Sequence, residues 1–279
     1  MVLLRHANHK GFTFLPLLLL IFLCQGVTSP SDSGRQSISA IPKSSSTTSP
    51  AAFTIMTFNI HHGEGLDGRV NIKRIADLIQ NGKADVIALQ EVDRYRWRSG
   101  YVDQAKELAE LLGMDMRFAP SLTYTVGQYG NAILSRYPIE DSSYTLLPGN
   151  KETRSLLEVK IKVNSESVRI ADTHLGLSKE DRSLQLARIS EMVTKHDDPL
   201  VIAGDFNMEL DAIPLKIDTA KLTNVPLRDD VKSTFVDGKR IDYIFTNRKN
   251  VESSWAIPTI FSDHFPVITL IRLGSSVRV

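Results

Sequence analysis

Short apolar runs recur along residues 53–273, and most of them end in an acid, an amide or an imidazole. Runs of this length are typical of buried strands. Stretches with helical spacing separate several of them, and others follow one another directly. This mixture predicts a layered α/β fold. Because open α/β sheets place their sites at strand ends, the pattern also predicts one site built from those polar residues.

Three helices are predicted between the strands. Residues 71–82 carry apolar side chains at helical spacing and close with Asn81-Gly82. Residues 102–114 form a second helix that ends at Gly113, and residues 179–196 form a third. The predicted strands cover residues 53–60, 84–92, 129–138, 154–163, 167–175, 199–207, 240–247 and 265–273.

The N-terminal part of the chain has a different character. Residues 1–26 combine Arg5 and Lys10 with an apolar run around residues 14–24, which is the pattern of a secretory signal peptide. An uncleaved membrane anchor is the alternative. Residues 27–52 are rich in Ser, Thr and Pro and predict a flexible linker. Residues 53–279 therefore form one catalytic domain, expected to be secreted or periplasmic.

The cysteine content and the net charge argue against a disulfide-bonded protein and against a strongly basic nucleic-acid-binding protein. The one cysteine, Cys24, lies in the signal segment, so the mature chain contains no disulfide. Removing Arg5 and Lys10 leaves 31 basic against 32 acidic residues, a net charge of −1. The mature chain has no overall basic field for nonspecific binding of nucleic acid, although a local patch is still open.

The residues at the strand ends favour metal-assisted hydrolysis. Each alone has an ordinary interpretation, because Asp and Asn also cap helices and form turns. Together they supply hard oxygen ligands and imidazoles without cysteine, a set that suits Mg²⁺ or Mn²⁺ and acid–base catalysis. Zn²⁺ is the less favoured alternative. These groups fit attack of water on phosphorus. They are Asn59, His61, His62, Gln90, Glu91, Asp93, Asp172, His174, Asp205, Asn207, Asp242, Asp263 and His264.

Seven segments together carry a family resemblance. They read TFNIHHG, LQEVD, YGNAILSR, DTHLG, GDFN, RIDYIF and SDHFPV. In this order and spacing the chain resembles the endonuclease/exonuclease/phosphatase superfamily, which includes deoxyribonuclease I-like enzymes, sphingomyelinases and inositol polyphosphate 5-phosphatases. The closer similarity is to its bacterial metal-dependent hydrolases. The resemblance covers about residues 53–273 and implies a four-layer α-β-β-α sandwich, with two mixed sheets face to face and helices outside.

The resemblance also implies roles for single residues. Glu91 is the implied direct metal ligand and Asn59 its partner, with Asp263 nearby and Mg²⁺ or Mn²⁺ as the cofactor. The implied catalytic residues are Asp205, which activates water, Asn207, which holds the phosphate, His264 with its partner Asp242, and His174 on the leaving-group side.

Other roles are open at this level. Either His61 and His62 contact a phosphate, or one of them is a buried, hydrogen-bonded residue. Arg154 is a candidate phosphate clamp because guanidinium binds phosphate with two hydrogen bonds, and the alternative is an ordinary charge at a strand edge. Asn131 is a second candidate for the rim of the site. Arg94–Gly100 either clamps substrate or is a solvated loop.

The substrate is open as well. It is a phosphate ester, expected to be a phosphodiester, and both nucleic acid and a lipid or inositol-phosphate headgroup remain candidates. No hydrophobic membrane-docking hairpin is evident in the sequence. A catalytically silent binding module is the least favoured interpretation. We expect a monomer with no obligate protein partner.

Overall fold

The structure is a computed structural model that describes residues 51–193, 198–212, 222–228, 231, 233–248, 251 and 253–273. The predicted signal peptide and nearly all of the predicted linker lie outside these residues. The third predicted helix, residues 179–196, is described only as far as residue 193. Within the described part of the chain, no helix is long and apolar enough to cross a membrane.

Two six-stranded mixed sheets form the domain. The first has the order β11-β12-β1-β2-β4-β3 and the second has the order β5-β6-β7-β8-β10-β9. The strands are β1 (Ala52–Asn59), β2 (Val86–Arg94), β3 (Asp115–Thr123), β4 (Gln128–Ser135), β5 (Ile139–Leu147), β6 (Arg154–Val163), β7 (Glu166–His174), β8 (Leu200–Asp205), β9 (Thr223–Asn224), β10 (Asp242–Thr246), β11 (Trp255–Ala256) and β12 (Val267–Arg272).

Within the described residues, three α-helices cover the sheets. They are α1 (Ile72–Gly82), α2 (Gln104–Leu112) and α3 (Lys179–Val193). One apolar cluster contains inward side chains of both sheets, such as Phe53 and Ile170. A second cluster joins the first sheet to α1 and α2, and a third joins the second sheet to α3. The predicted four-layer sandwich is confirmed.

Strand direction gathers the polar strand ends at one edge. β1 and β2 are parallel, with Asn59 opposite Gln90. β7 and β8 are also parallel, with His174 opposite Asp205, and Asp242 at the start of antiparallel β10 faces Asp205. Because parallel strands end at the same side of a sheet, the ends of both central pairs form one site edge.

The structure adds four strands that the sequence pattern missed, which are β3, β5, β9 and β11. All four lie at sheet edges; most β5 side chains are exposed, and β9 and β11 have two residues each. An edge strand with a solvated face has no continuous apolar run, so the pattern of buried strands does not reveal it.

The predicted end of the first helix also needs correction. Gly82 is still helical, and the left-handed residue that ends α1 is Lys83, with φ of 53°. Gly82 serves packing instead, because a Cβ atom there would lie 2.6 Å from Cε of Met56 on β1. Gly113 ends α2 as predicted, with φ of 64°.

Candidate active site

Asn59 and Glu91 meet at the ends of the parallel strands β1 and β2. The Asn59 amide Nδ2 donates to Glu91 Oε1 at 3.1 Å, while its Oδ1 accepts from the backbone N–H of His61 at 3.0 Å. Glu91 stands at an irregularity in the β2–β4 pairing and has φ of 59°. A bulge of this kind turns a side chain out of the alternating strand pattern. Here it directs Glu91 toward the site edge.

Asp205 lies at the centre of the site. It ends β8 and is buried, and its Oδ2 accepts from Asn59 Nδ2 at 3.0 Å. Its Oδ1 accepts from the backbone N–H of Asn207 at 2.8 Å, and the Asn207 amide donates to Leu175 O at 2.8 Å. Asn207 therefore fixes the Asp205 carboxylate through the turn that follows β8.

His264 and Asp242 form a close pair across the two sheets. His264 Nδ1 lies 3.0 Å from Asp242 Oδ2, and Nε2 lies 3.6 Å from Asp205 Oδ2. Thr234 Oγ1 donates to Asp242 Oδ2 at 2.7 Å. Ser262 Oγ accepts from the His264 backbone N–H and donates to Asn59 O. The imidazole is thus held between two carboxylates by bonds to both sheets.

This environment moves two pKa values toward neutral or basic pH. Burial and the charge of Asp242 raise the pKa of Asp205 to about 7, against the opposing effect of His264. Burial alone lowers the pKa of His264, but Asp242, through charge and hydrogen bonding, and the charges of Asp205 and Asp263 outweigh it and raise that pKa to about 10. Between these values the site holds an ionised Asp205 beside a protonated His264.

His174 is neutral and has a defined tautomer. Burial, followed by the charges of Arg154 and His264, holds its pKa well below the usual range. Arg154 Nη1 lies 3.0 Å from Nδ1 of His174. Because a guanidinium can only donate, Nδ1 must be the acceptor and Nε2 carries the proton. Nε2 lies 3.4 Å from Asp205 Oδ2, so His174 is a third neighbour of that oxygen.

The remaining predicted site residues separate into two groups. Arg154 and Asp263 line the cleft, and His61 Nδ1 lies 4.0 Å from Asp263 Oδ1. Asn131 is 1% exposed, and its amide donates to Ser155 O on β6 of the opposite sheet. The structure places Asn131 between the sheets and not on the cleft surface.

An open cleft of roughly 790 Å³ lies over these groups. On its wall, carboxylates outnumber Lys and Arg: the acids are Glu91, Glu152, Asp205, Glu209, Asp211, Asp237 and Asp263, and the basic residues are Arg154, Arg182 and Lys239. An anionic phosphate would meet net negative charge unless a cation lay beside it. The oxygen-rich donor set around Glu91 and Asp263 fits such a cation.

The sequence analysis missed two supporting residues. Ser262 stands directly before Asp263-His264, so its place in that motif was an available indication. Thr234 accepts from the backbone N–H groups of Ile241 and Asp242 while donating to Asp242. It comes from a loop with no apolar pattern, and no sequence feature marked it.

Comparisons with known proteins agree with this geometry. Residues 56–264 match the model of the Endonuclease/Exonuclease/phosphatase family. The chain is 30% identical over 169 residues to YbhP, an uncharacterized protein of Escherichia coli, a match covering 56% of this chain and 67% of YbhP.

Two solved structures illustrate the similarity in fold. An endonuclease/exonuclease/phosphatase from Beutenbergia cavernae is 27% identical with a TM-score of 0.66, over 80% of this chain and 72% of that one. The mannosyl-6-phosphatase Bt3783 of Bacteroides thetaiotaomicron is 19% identical with a TM-score of 0.64, over 78% and 99% of the two chains, and shows the fold alone. The family match includes every residue that lines the cleft, from Glu91 to His264, and the chain therefore belongs to the endonuclease/exonuclease/phosphatase family of phosphate-ester hydrolases.

Proposed function

We propose that this protein hydrolyses phosphodiesters with the help of a divalent cation, Mg²⁺ or Mn²⁺. The observation that carries the proposal is the contact of Asp205 with His264, a carboxylate with a pKa of about 7 beside an imidazole with a pKa of about 10. A general base works best when its pKa lies near the working pH. The pair offers a base and a hydrogen-bond donor in the same cleft.

Each residue has a defined task in this reaction. Asp205 accepts a proton from water as the water oxygen bonds to phosphorus and the bond from phosphorus to the leaving oxygen breaks. Protonated His264 donates to a phosphate oxygen that gains charge. The leaving oxygen acquires a proton from solvent. Glu91 and Asp263 would hold the cation, with Asn59 fixing Glu91; when bound, the cation supplies positive charge for the phosphate oxygens.

His174 and Arg154 lie beside the pair formed by Asp205 and His264. Because both ring nitrogens of His174 face protein groups, we assign it to positioning Asp205. Arg154 is nearly fully buried, with Nη2 lying 3.5 Å from Glu152. Its guanidinium lines the cleft and can bind a phosphate oxygen there.

Hydrolysis of bis-p-nitrophenyl phosphate tests the proposal. We expect activity with Mg²⁺ or Mn²⁺, loss in excess EDTA, and recovery when the cation is restored. Asp205→Asn should abolish turnover, and Glu91→Gln should raise the cation concentration needed. Asp237→Asn, which removes another carboxylate of the same cleft wall, is the matched control and should stay within a fewfold of wild type. Full activity in excess chelator would contradict the metal dependence.

Exposed apolar side chains on loops at the site edge of the first sheet favour a lipid phosphodiester among the candidate substrates. Trp97 is 72% exposed and Leu66 is 55% exposed. More than half of the exposed large apolar side chains in the described residues belong to loops at the site edge of the first sheet: Leu66, Val70, Tyr95, Trp97, Tyr101, Tyr124, Val126 and Ile260. Patches of this kind mark interaction sites.

In two places, contacts between neighbouring loops hold these exposed side chains together. Arg96 lies over the Tyr124 ring at 3.5 Å from its centroid and donates to Val126 O at 3.2 Å. The Leu66 N–H donates to Ile260 O at 2.8 Å. Trp and Tyr are favoured where membrane meets water, and aliphatic side chains enter the apolar boundary. A nucleic acid would instead need a basic groove, and the cleft wall is predominantly acidic.

Vesicle binding separates the two substrate classes. We expect the protein to sediment with phosphatidylcholine vesicles and to hydrolyse their headgroup phosphodiesters faster than DNA or RNA. Trp97→Ala combined with Val126→Ala should reduce vesicle binding. Leu111→Ala is the control, because Leu111 is also exposed but lies at the C-terminal end of α2 and not on these loops. Faster cleavage of nucleic acid, without vesicle binding, would favour a secreted nuclease instead.

A further inference from the structure

Two neighbouring histidines after β1 have a backbone conformation that ordinary residues avoid. His61 has φ of 44° and His62 has φ of 43°, and Gly63 follows with φ of 80°. The buried Gln104 donates to His62 O at 2.7 Å and so holds the turn from α2. Backbone strain fixed in this way is common at functional sites. The turn places both imidazoles beside Glu91.

The three side chains converge on one point. One ring nitrogen of His61, one of His62 and one carboxylate oxygen of Glu91 all lie within 4.8 Å of one another. The two rings pack edge to face with centroids 4.5 Å apart. Two imidazoles and one carboxylate are a ligand set that binds first-row transition cations.

The hydrogen bonds of His62 resemble those of a metal ligand. His62 is 6% exposed, and its Nδ1 has no hydrogen-bond partner within the described residues. Its Nε2 lies 3.1 Å from Glu64 Oε2. Buried polar atoms without a partner are uncommon, whereas histidines that bind metals usually have their second nitrogen held by a carboxylate. Glu64 occupies that second position.

We propose that His61, His62 and Glu91 form a subsite for a first-row transition-metal cation, with Glu64 as a positioning residue for His62. Two imidazoles and a carboxylate suit Fe²⁺ and Zn²⁺, whereas Mg²⁺ and Ca²⁺ take oxygen ligands. Mn²⁺ also favours oxygen ligands and serves as the paramagnetic probe of the mixed nitrogen and oxygen set. The subsite therefore selects the kind of ion that enters the cleft beside Glu91. It binds its ion whether or not the protein hydrolyses phosphodiesters.

Electron spin echo spectroscopy of bound Mn²⁺ tests the subsite without measuring activity. The full chain loaded with one equivalent of Mn²⁺ should show modulation from ligating nitrogen. The double variant His61→Asn/His62→Asn should lose it; asparagine is chosen because it tolerates positive φ better than most residues. His174→Gln removes another cleft imidazole and should retain the modulation. Absence of nitrogen modulation in the wild type, or its persistence in the double variant, would overturn the proposal.

A milder variant keeps the test decisive where the double variant does not fold. Glu64→Gln retains both imidazoles and should weaken Mn²⁺ binding by roughly 10–100-fold, the usual effect of removing such a partner. Its Mg²⁺ affinity should not change. Glu110→Gln, at an exposed carboxylate on α2, should bind Mn²⁺ like the wild type. Equal Mn²⁺ affinity in Glu64→Gln and Glu110→Gln would contradict the role given to Glu64.

Discussion

The protonation states in the cleft depend on three residues, Asp205, Asp242 and His264. Asp242 contacts the imidazole directly and acts on Asp205 through its charge. Its negative charge favours the protonated form of both neighbours. Asp242 therefore sets the pH range in which an ionised Asp205 and a protonated His264 coexist.

Activity should follow a bell-shaped pH profile. It should fall below about 7 as Asp205 becomes protonated and above about 10 as His264 loses its proton. Asp242→Asn removes the charge that raises both pKa values, so both limbs should move to lower pH. Initial rates of diester hydrolysis across this range give the measurement. A profile that moves at one limb only would show that Asp242 acts on one of the two groups.

His264 and Asp242 should also behave as one unit in mutagenesis. Asp242→Asn should lower turnover by about 10²-fold or more with the fold intact, in the range of general acid–base groups. His264→Ala should cost at least as much. The double variant should lose little beyond His264→Ala, because the carboxylate acts through the imidazole. Multiplicative losses in three folded variants would argue against this coupling.

At the level of elements, a buried hydrogen bond joins the two sheets beside the site. Gln90 on β2 donates to Asp172 Oδ1 on β7 at 2.7 Å. Asp172 is fully buried, and its Oδ2 has no hydrogen-bond partner within the described residues. Burial raises the pKa of Asp172 well above its usual range, more than the hydrogen bonds of Gln90 and Thr173 lower it. The carboxyl group is therefore favoured in its protonated form.

Asp172→Asn should change how stability depends on pH. In the wild type the folded state binds the proton more tightly than the unfolded chain. The stability from this group is thus present below about pH 4 and is lost as pH rises through the folded pKa. Asparagine has no titratable carboxyl group, so the Asp172→Asn variant does not lose this stability as the pH rises. Its free energy of unfolding relative to the wild type should increase from pH 5 to pH 8 in urea titrations. If the difference in free energy of unfolding stayed constant over this pH range, folding would not raise the pKa of Asp172.

Gly204 controls the distance between β7 and β8. It has φ of 154°, and a Cβ atom there would lie 2.0 Å from the Thr173 carbonyl oxygen. Gly204→Ala should therefore force the strands apart and displace the adjacent Asp205, with a loss above about 4 kcal/mol or failure to fold. Gly149→Ala is the control, because its nearest neighbours are side-chain atoms at 3.3 Å or more. Chemical unfolding of both variants gives the comparison.

For the whole molecule, we propose export with removal of the N-terminal segment. The protein should accumulate outside the cytoplasm, shorter by about 25 residues, as expected for a cleaved signal peptide. Mass spectrometry of the N-terminus after cell fractionation tests this. Residues 48–279 form a compact unit by themselves, so a chain starting at residue 53 should retain hydrolysis. An intact N-terminus in the membrane fraction would identify a signal anchor.

The sequence determined the α/β class, the central strands and the polar residues at their ends. Buried strands are revealed by apolar runs, and their ends are revealed by the sudden change to Asn, Asp or His. The family resemblance then gave the four-layer sandwich and the pairing of His264 with Asp242, which lie 3.0 Å apart. The edge strands β3 and β5 were missed because one solvated face removes the apolar run, and β9 and β11 were missed because two residues form no run.

Only the tertiary structure decided which polar residues share the cleft and in what state. Asn131 looked like a site residue in sequence, yet it lies between the sheets and bonds to Ser155. Thr234 carried no sequence signature, yet it holds Asp242. The neutral His174, the raised pKa of Asp205 and the convergence of His61 and His62 on Glu91 come from burial and from contacts between residues far apart in the chain. Burial and distance depend on how the two sheets pack, which no local pattern contains.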